Sequence, residues 1–224
     1  SLEGNILNGN LVCFIILQTL IIQIPLLVAL VTGDLISGEA AMGTIRLIAT
    51  RPVSRTRLLV SKFLAGALYV MMLLLWLGVL SLGLGLLFFG HGDLIVLKSE
   101  ELIIIQSDDT FWRFMSAFGV AFLSLLVVAS FSLMLSCFAE NSIGPIISTM
   151  AVIILFTIIG TMEIPFFDLI KPYLFTTHMV IWRNFFDNPL PVEQIRESLL
   201  ILAAHVILFL SVSVYTFNKK DILS

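Results

Sequence analysis

The sequence is short of charged residues. Of its 224 residues only 12% are Asp, Glu, Lys or Arg, 59% are hydrophobic, and the mean hydropathy is +1.09. A soluble domain carries about 25% charged and about 45–50% apolar residues. A globular core could not hide this excess, because most of a folded surface needs polar cover. The composition excludes a soluble enzyme, a nucleic-acid-binding protein and a disordered chain, and it indicates that lipid is the main solvent.

Charge is missing altogether from residues 11–32, 64–89, 114–138, 143–162 and 198–217. Each run has at least 20 residues, and a helix needs about 20 residues to cross the hydrocarbon core. Helices satisfy every backbone amide within the span, and the runs lack the alternation of a membrane barrel. The sequence therefore predicts an all-α, polytopic membrane helical bundle with five spans, forming one transmembrane domain over residues 1–224.

Groups suited to catalysis or metal binding are also scarce. Cys13 and Cys137 are the only cysteines, and each lies within a predicted span as a small apolar residue. His205 is the only histidine within a span, and no dyad, triad or metal-ligand cluster accompanies it. No lysine follows a glycine, so the sequence has no phosphate-binding Gly-Lys-Ser/Thr loop. These absences predict a non-catalytic chain with no metal or cofactor of its own.

The remaining charges divide unequally between the two sides of the bilayer. Residues 33–63, 139–142 and 218–224 form one side and carry seven basic and four acidic residues. The other side, formed by residues 1–10, 90–113 and 163–197, carries five basic and eleven acidic residues. Because positively charged loops stay in the cytoplasm, we expect the first side and the C-terminus to be cytoplasmic. The chain then starts outside, and we expect one more span upstream.

Residues 34–62 form the predicted cytoplasmic loop between the first two spans. Apolar residues recur at helical spacing between Glu39 and Ala49, which predicts a short amphipathic helix. Pro52 ends this helix, and Ser54 caps the next one, which leads into the second span. From physics alone, such a segment is either a connector lying on anionic headgroups or a rigid element that transmits motion from a soluble partner.

The same loop resembles the permease subunits of type-2 ATP-binding-cassette (ABC) transporters. The matching motifs are Asp34-Leu-Ile-Ser-Gly-Glu39, Gly43-Thr-Ile-Arg46, Arg51-Pro-Val-Ser-Arg55 and Lys62-Phe63. The ending Phe217-Asn-Lys-Lys-Asp-Ile222 is similar to the usual ending of that family at the cytoplasmic face. The resemblance covers residues 10–224 in topology, whereas its specific motif lies within residues 34–63.

The resemblance implies that the short helix is a coupling helix, which docks on a separate ATP-binding subunit. ATP and Mg²⁺ would bind to that partner, and a second permease subunit, identical or different, would complete the transporter in a bacterial-type cytoplasmic membrane. Family members usually have six spans, in agreement with a further span upstream of this chain. The residues expected to contact the ATP-binding subunit are Glu39, Met42, Gly43, Thr44, Ile45, Arg46, Ile48 and Ala49.

The predicted outer loops, residues 90–113 and 163–197, differ in character. The first is acidic without the ligand spacing of a calcium loop, and Leu102–Ile105 within it can form a small strand or a turn. The second is rich in aromatic residues and cut by four prolines, which predicts short interfacial helices in the outer leaflet. It serves either as a structural aromatic belt or as an outer gate, with Tyr173, Phe175 and Trp182 as the candidate gate residues.

Polar residues within the spans are the candidates for a translocation path. These are Gln18 and Gln23 in the first span and His205 in the last. The alternative for His205 is a hydrogen bond to a neighbouring helix. Glycines in residues 78–85 allow close helix approach or break the second span near its outer end.

Together with the spans and the charge bias, the resemblance implies the permease subunit of an ATP-driven transporter, and the direction of export is also what the resemblance implies. Two alternatives stay open. A secondary transporter should show charged or interrupted sites at mid-membrane in two related halves, and a membrane scaffold subunit would transport nothing. Co-purification with an ATPase separates the first hypothesis from both alternatives.

Overall fold

The computed structural model describes residues 7–20, 23–44, 54–97 and 102–219. Two short 3₁₀ segments, Lys171–Tyr173 and Val180–Phe186, flank the helix Phe175–Met179, and the strands Leu94–Leu97 and Leu102–Ile105 pair as an antiparallel hairpin. The elements in chain order are α1 Gly9–Thr19, α2 Gln23–Ala41, α3 Arg55–Phe89, β1 Leu94–Leu97, β2 Leu102–Ile105, α4 Ser107–Phe138, α5 Ile143–Thr161, α6 Pro165–Asp168, α7 Phe175–Met179 and α8 Val192–Lys219.

Five of these helices, α2, α3, α4, α5 and α8, are long and apolar enough to cross a membrane. The predicted helical bundle with five spans is therefore confirmed. The central helix is α4, which packs against α2, α3, α5 and α8 and is the most buried of the five. Large exposed apolar side chains cover the outer faces of α3, α5 and α8, as expected for helices that face lipid.

The predicted first span, residues 11–32, overlaps two helices of the structure. α1 ends at Thr19 and α2 begins at Gln23, and the helix of spanning length is α2, which starts later in the chain than the predicted span and ends later. Pro25 lies in the first turn of α2, where its missing N–H costs no hydrogen bond. α2 also continues beyond Asp34 to Ala41, because Ile36 and Ser37 are buried against α4.

The second span begins where the sequence predicted its cap. The Ser54 side chain accepts a hydrogen bond from the Arg57 N–H at 3.3 Å, and α3 starts at Arg55. Near its other end α3 contains a π-helical segment, Val79–Gly83. A π segment has about one more residue per turn than an α-helix. It distorts α3 without breaking it, whereas the glycines in residues 78–85 also allowed a break.

The acidic loop contains the small strand that its sequence allowed. β1 and β2 pair from Leu94 with Ile105 to Leu97 with Leu102. Leu94 and Ile105 are buried in a cluster that also includes Phe14 of α1 and Phe114 of α4. The hairpin therefore closes one end of the bundle.

Two glycines hold α1 against α3. A Cβ atom on Gly9 would lie 2.5 Å from backbone atoms of Gly85 and Leu86, so the helices can approach this closely only without a side chain. The Gly9 N–H also donates to the Gly90 carbonyl at 3.0 Å. The glycine pair confirms that close helix approach is one use of the glycines in residues 78–85.

We expect Gly9→Ala to destabilise the protein by about 1–3 kcal/mol, because its methyl group meets backbone that cannot rotate away. Thermal unfolding of the purified protein in detergent measures this effect. Gly83→Ala is the matched control, since a Cβ at Gly83 would meet no atom within 4 Å. Equal midpoints for the two variants would show that the Gly9–Gly85 contact is not tight in the protein.

Candidate functional site

Two motif residues of the predicted cytoplasmic loop meet in an ion pair. The Lys62 ammonium of α3 donates a hydrogen bond to the Glu39 carboxylate in the last turn of α2. Both side chains are 22% exposed, so neither is fully solvated. This contact joins the end of α2 to the beginning of α3. We call this end of the bundle, where the ends of α4 and α8 also lie, the basic end.

The peptide chain turns sharply just beyond Glu39. The Met42 and Gly43 N–H groups donate to the carbonyls of Gly38 and Ala40 at 3.0 and 3.1 Å, which closes the last turn of α2. Gly43 has a φ of 71°, a left-handed conformation in which glycine is favoured after a helix. Met42 is 72% exposed beside it. The glycine of the motif thus ends α2.

The expected contact residues are placed only in part. Glu39, Met42, Gly43 and Thr44 lie at the basic end, whereas Ile45, Arg46, Ile48 and Ala49 lie outside the described residues. A separate helix does not begin at Glu39, contrary to the sequence-based prediction. Because α2 packs on α4, it continues through Glu39. The helical conformation is interrupted at Gly43 instead. The Thr44 hydroxyl donates to the Glu39 carbonyl at 3.2 Å across this break.

Serine residues join α2 to α4 near the basic end. The Ser136 hydroxyl oxygen accepts from the N–H groups of Ile36 and Ser37 at 3.3 and 2.9 Å, and it lies 3.1 Å from the Ser37 hydroxyl. One turn earlier, the Ser132 hydroxyl donates to the Ala29 carbonyl at 3.0 Å. Such interhelical bonds stabilise packing between helices in a membrane. They hold the helix that carries the motif against the centre of the bundle.

The end of α8 also reaches the basic end. Arg55 at the start of α3 donates to the carbonyls of Phe217 and Asn218 at 3.4 and 3.2 Å. Phe217 is 1% exposed and packs with Leu59 and Leu133. A cation at the last carbonyls of a helix is favourable because it faces the negative end of the helix dipole. The two segments that carry the family resemblance, the loop and the ending, therefore meet at one end of the bundle.

Arg113 organises the opposite end, which we call the acidic end. Its side chain lies in the first turns of α4 and donates to the carbonyls of Phe185 and Asp187, both at 2.8 Å, and to the Asp109 carboxylate at 2.7 Å. Arg113 is only 8% exposed. No motif in the sequence indicates this role, although Arg113 directly precedes an apolar run of 25 residues, a position near a membrane boundary.

The candidate gate residues do not form one group. Phe175 is 2% exposed and lies among aromatic rings of the core, with the Phe131 ring centroid at 5.8 Å. Trp182 is buried in a different cluster, where the Phe14 centroid lies at 6.1 Å. Tyr173 is 76% exposed. Several aromatic residues of this loop are thus core residues, because the short helices pack onto α4.

The candidate path residues are not brought together either. Gln18 is exposed at a shallow groove between α1 and β1, and Gln23 is exposed at the start of α2. His205 bonds through Nδ1 to the Ile201 carbonyl of its own helix at 2.8 Å. A carbonyl only accepts, so this nitrogen carries a proton. The sequence offered a hydrogen bond from His205 to a neighbouring helix. The structure instead shows a contact between rings, with the Phe175 centroid 6.0 Å from the His205 centroid.

A second histidine, His178, ties the aromatic loop to α8. Its Nε2 lies 2.8 Å from the Pro172 carbonyl and its Nδ1 lies 2.9 Å from the Ser198 hydroxyl. The carbonyl requires a proton on Nε2, so in the neutral ring Nδ1 accepts from Ser198. Sequence reasoning did not single out His178, because its partners lie 6 and 20 residues away in the chain.

The helices and their contacts define a multi-pass α-helical membrane protein. Residues 4–223 match a protein family described as "Protein of unknown function (DUF2705)", and the chain belongs to this family. The uncharacterized protein YhcI of Bacillus subtilis (strain 168) is 28% identical over 200 residues. That match covers 86% of this chain and 63% of the relative, so the chain spans less than two thirds of the relative's length.

Proposed function

We propose that this chain is the membrane-spanning permease subunit of an ABC transporter that exports its substrate. In this proposal a separate ATP-binding subunit hydrolyses ATP with Mg²⁺, and a second permease subunit completes the translocation unit. The basic end faces the cytoplasm of a bacterial-type cell, and the C-terminus lies on that side. The observation that carries the proposal is the meeting of the motif residues at the basic end, with Glu39 paired to Lys62 across the loop.

Three further features support a docking role for this end. Met42 is strongly exposed next to Gly43, so an apolar side chain is available to a partner. Serine bonds and the Arg55 contact hold the flanking helices to the rest of the bundle. A force applied to the loop would therefore reach α4, since coupling between sites travels through packed, hydrogen-bonded elements.

The proposal predicts that an ATP-binding subunit can be cross-linked to the basic end and not to the opposite end. We expect Met42→Cys, labelled with a benzophenone maleimide in the assembled complex, to cross-link to an ATP-binding subunit. Cys13 and Cys137 are both buried, so background labelling should be low. Leu87→Cys is the matched control, because Leu87 is similarly exposed at 75% but lies near the opposite end of α3.

The readout is mass spectrometry of the cross-linked bands from membranes that contain the full-length protein. An ATP-binding subunit linked to Met42→Cys and not to Leu87→Cys would support the proposal. Purification without any stoichiometric ATPase would overturn it and favour a secondary transporter or a scaffold subunit. Equal cross-linking from both positions would overturn the assignment of the basic end as the docking face.

A further inference from the structure

An apolar cavity of about 430 Å³ lies near the acidic end of the bundle. Its volume falls within the range of about 300–1,000 Å³ typical of ligand sites. Its walls are side chains of α3, α4 and α5, of the region where α1 gives way to α2, and of the aromatic loop. Ile154 and Ile158 at its rim are 46% and 51% exposed, so the cavity opens along α5 towards the lipid.

The cavity has the length of one lipid leaflet. Its α5 wall extends from Ile153 to Thr161 and its α4 wall from Ala117 to Leu125. Eight residues of helix rise about 12 Å, and half of the hydrocarbon core measures about 15 Å. The apolar part therefore has the dimensions to take an extended hydrocarbon chain.

Two polar side chains that line the cavity have unsatisfied buried atoms. The Nε of Arg183 is buried and has no hydrogen-bond partner among the described residues. Thr176 is 7% exposed, and within the same residues its hydroxyl also has no partner. Buried donors are normally paired, and each unpaired one calls for an explanation. A ligand with acceptor oxygens would satisfy both groups.

No carboxylate in the described parts of the chain pairs with Arg183, whose guanidinium lies 5.8 Å from the Trp182 ring centroid. Burial lowers the pKa of the Arg183 side chain, yet a guanidinium stays charged in proteins. By contrast, Arg113 and Arg196 each pair with an acid. Within the described residues, Arg183 is therefore without the acidic partner that Arg113 and Arg196 have.

We propose that this cavity binds an anionic amphiphile, with its hydrocarbon chain between α4 and α5 and its phosphate or carboxylate head on Arg183 and Thr176. Arginine holds such oxyanions by paired N–H donors. The source of this amphiphile is either an anionic membrane phospholipid or a free single-chain molecule. The site does not depend on an ATP-binding partner, so it goes beyond the proposed transport function.

Quenching of Trp182 fluorescence tests this site, since Trp182 lines the cavity and is only 6% exposed. Trp76→Phe and Trp112→Phe remove the other two tryptophans, which are 66% and 45% exposed. The full-length protein is titrated in detergent with phosphatidylglycerol or phosphatidylcholine carrying brominated chains. We expect saturable quenching by phosphatidylglycerol at a concentration about tenfold lower than by phosphatidylcholine, from one charge-assisted contact.

Arg183→Gln should abolish the preference for the anionic lipid, whereas the exposed control Arg196→Gln should retain it. Arg183→Lys keeps the positive charge, so this variant should retain part of the preference for the anionic lipid. Ala121→Phe fills the cavity and should weaken quenching by both lipids, whereas Ala65→Phe, at an exposed position of α3, should not. Equal quenching by the two lipids, or an unchanged preference in Arg183→Gln, would overturn the proposal.

Competition identifies the source of the ligand. Displacement of the brominated phosphatidylglycerol by dodecyl phosphate supports a free single-chain amphiphile. Resistance to dodecyl phosphate, with the lipid preference intact, supports a membrane phospholipid. Displacement by inorganic phosphate as effectively as by dodecyl phosphate would overturn the assignment of the cavity to a hydrocarbon chain.

Discussion

Arg113→Met is expected to destabilise the protein by about 3 kcal/mol. The substitution removes a charged donor and leaves the carbonyls of Phe185 and Asp187 without their partner; hydrogen bonds to charged groups contribute about 1.5–3 kcal/mol each. For a protein of this size the midpoint of thermal unfolding should fall on the order of 10 °C. Samples are heated to a series of temperatures, and the protein that remains folded is quantified by size-exclusion chromatography with fluorescence detection. The temperature at which half remains is the midpoint.

Arg196→Met is the matched control for this experiment. Arg196 pairs with Glu193, but its side chain is 70% exposed, so its ion pair contributes little. The Arg113 variant should also expose the aromatic loop to protease, because Arg113 fixes that loop to α4 through backbone carbonyls. Similar midpoints for the two variants would mean that Arg113 does not anchor the loop.

Glu39→Lys is expected to destabilise the basic end by about 1–2 kcal/mol, because it places two like charges at a partly buried contact. Restoring the pair in the double variant Glu39→Lys with Lys62→Glu should recover the stability to within about 0.5 kcal/mol. A double-mutant cycle of thermal unfolding measures the coupling between the two residues. Failure of the double variant to recover would show that the pair does not stabilise the fold.

The same variants separate folding from docking under the proposed function. If Glu39 itself contacts an ATP-binding subunit, the double variant should regain stability while ATP hydrolysis by the assembled complex stays at least about tenfold low, a loss of about 1.4 kcal/mol. If ATP hydrolysis recovers together with stability, Glu39 acts only by holding α2 to α3. That result would remove Glu39 from the docking surface.

Features set by local chemistry were predictable from the sequence. The five apolar runs indicated the number of spans, because no backbone can cross lipid without internal hydrogen bonds. Ser54 caps α3 as predicted, since a cap depends on its nearest residues. For Leu102–Ile105 the sequence allowed either a strand or a turn, and pairing with Leu94–Leu97 makes it a strand.

Features set by packing were not predictable. α2 continues past Asp34 and Glu39 because one of its faces is buried on α4. The positions of the charged residues in the sequence do not show that this face is buried. Arg113 and His178 find their main partners in segments distant in the chain. The candidate gate residues separate for the same reason, because the fold of a short, proline-rich loop depends on the helices beneath it.

The helix α4 fixes the angle, about its own axis, between a contact at one end of the bundle and a contact at the other. Arg113 near its start holds the aromatic loop, and Ser136 near its finish holds α2. Each residue of an α-helix turns about 100° around the axis, so the separation of 23 positions between Arg113 and Ser136 fixes the direction of one contact relative to the other. A twist applied at the basic end would therefore appear at the acidic end as a change of angle, without any change in the length of the helix.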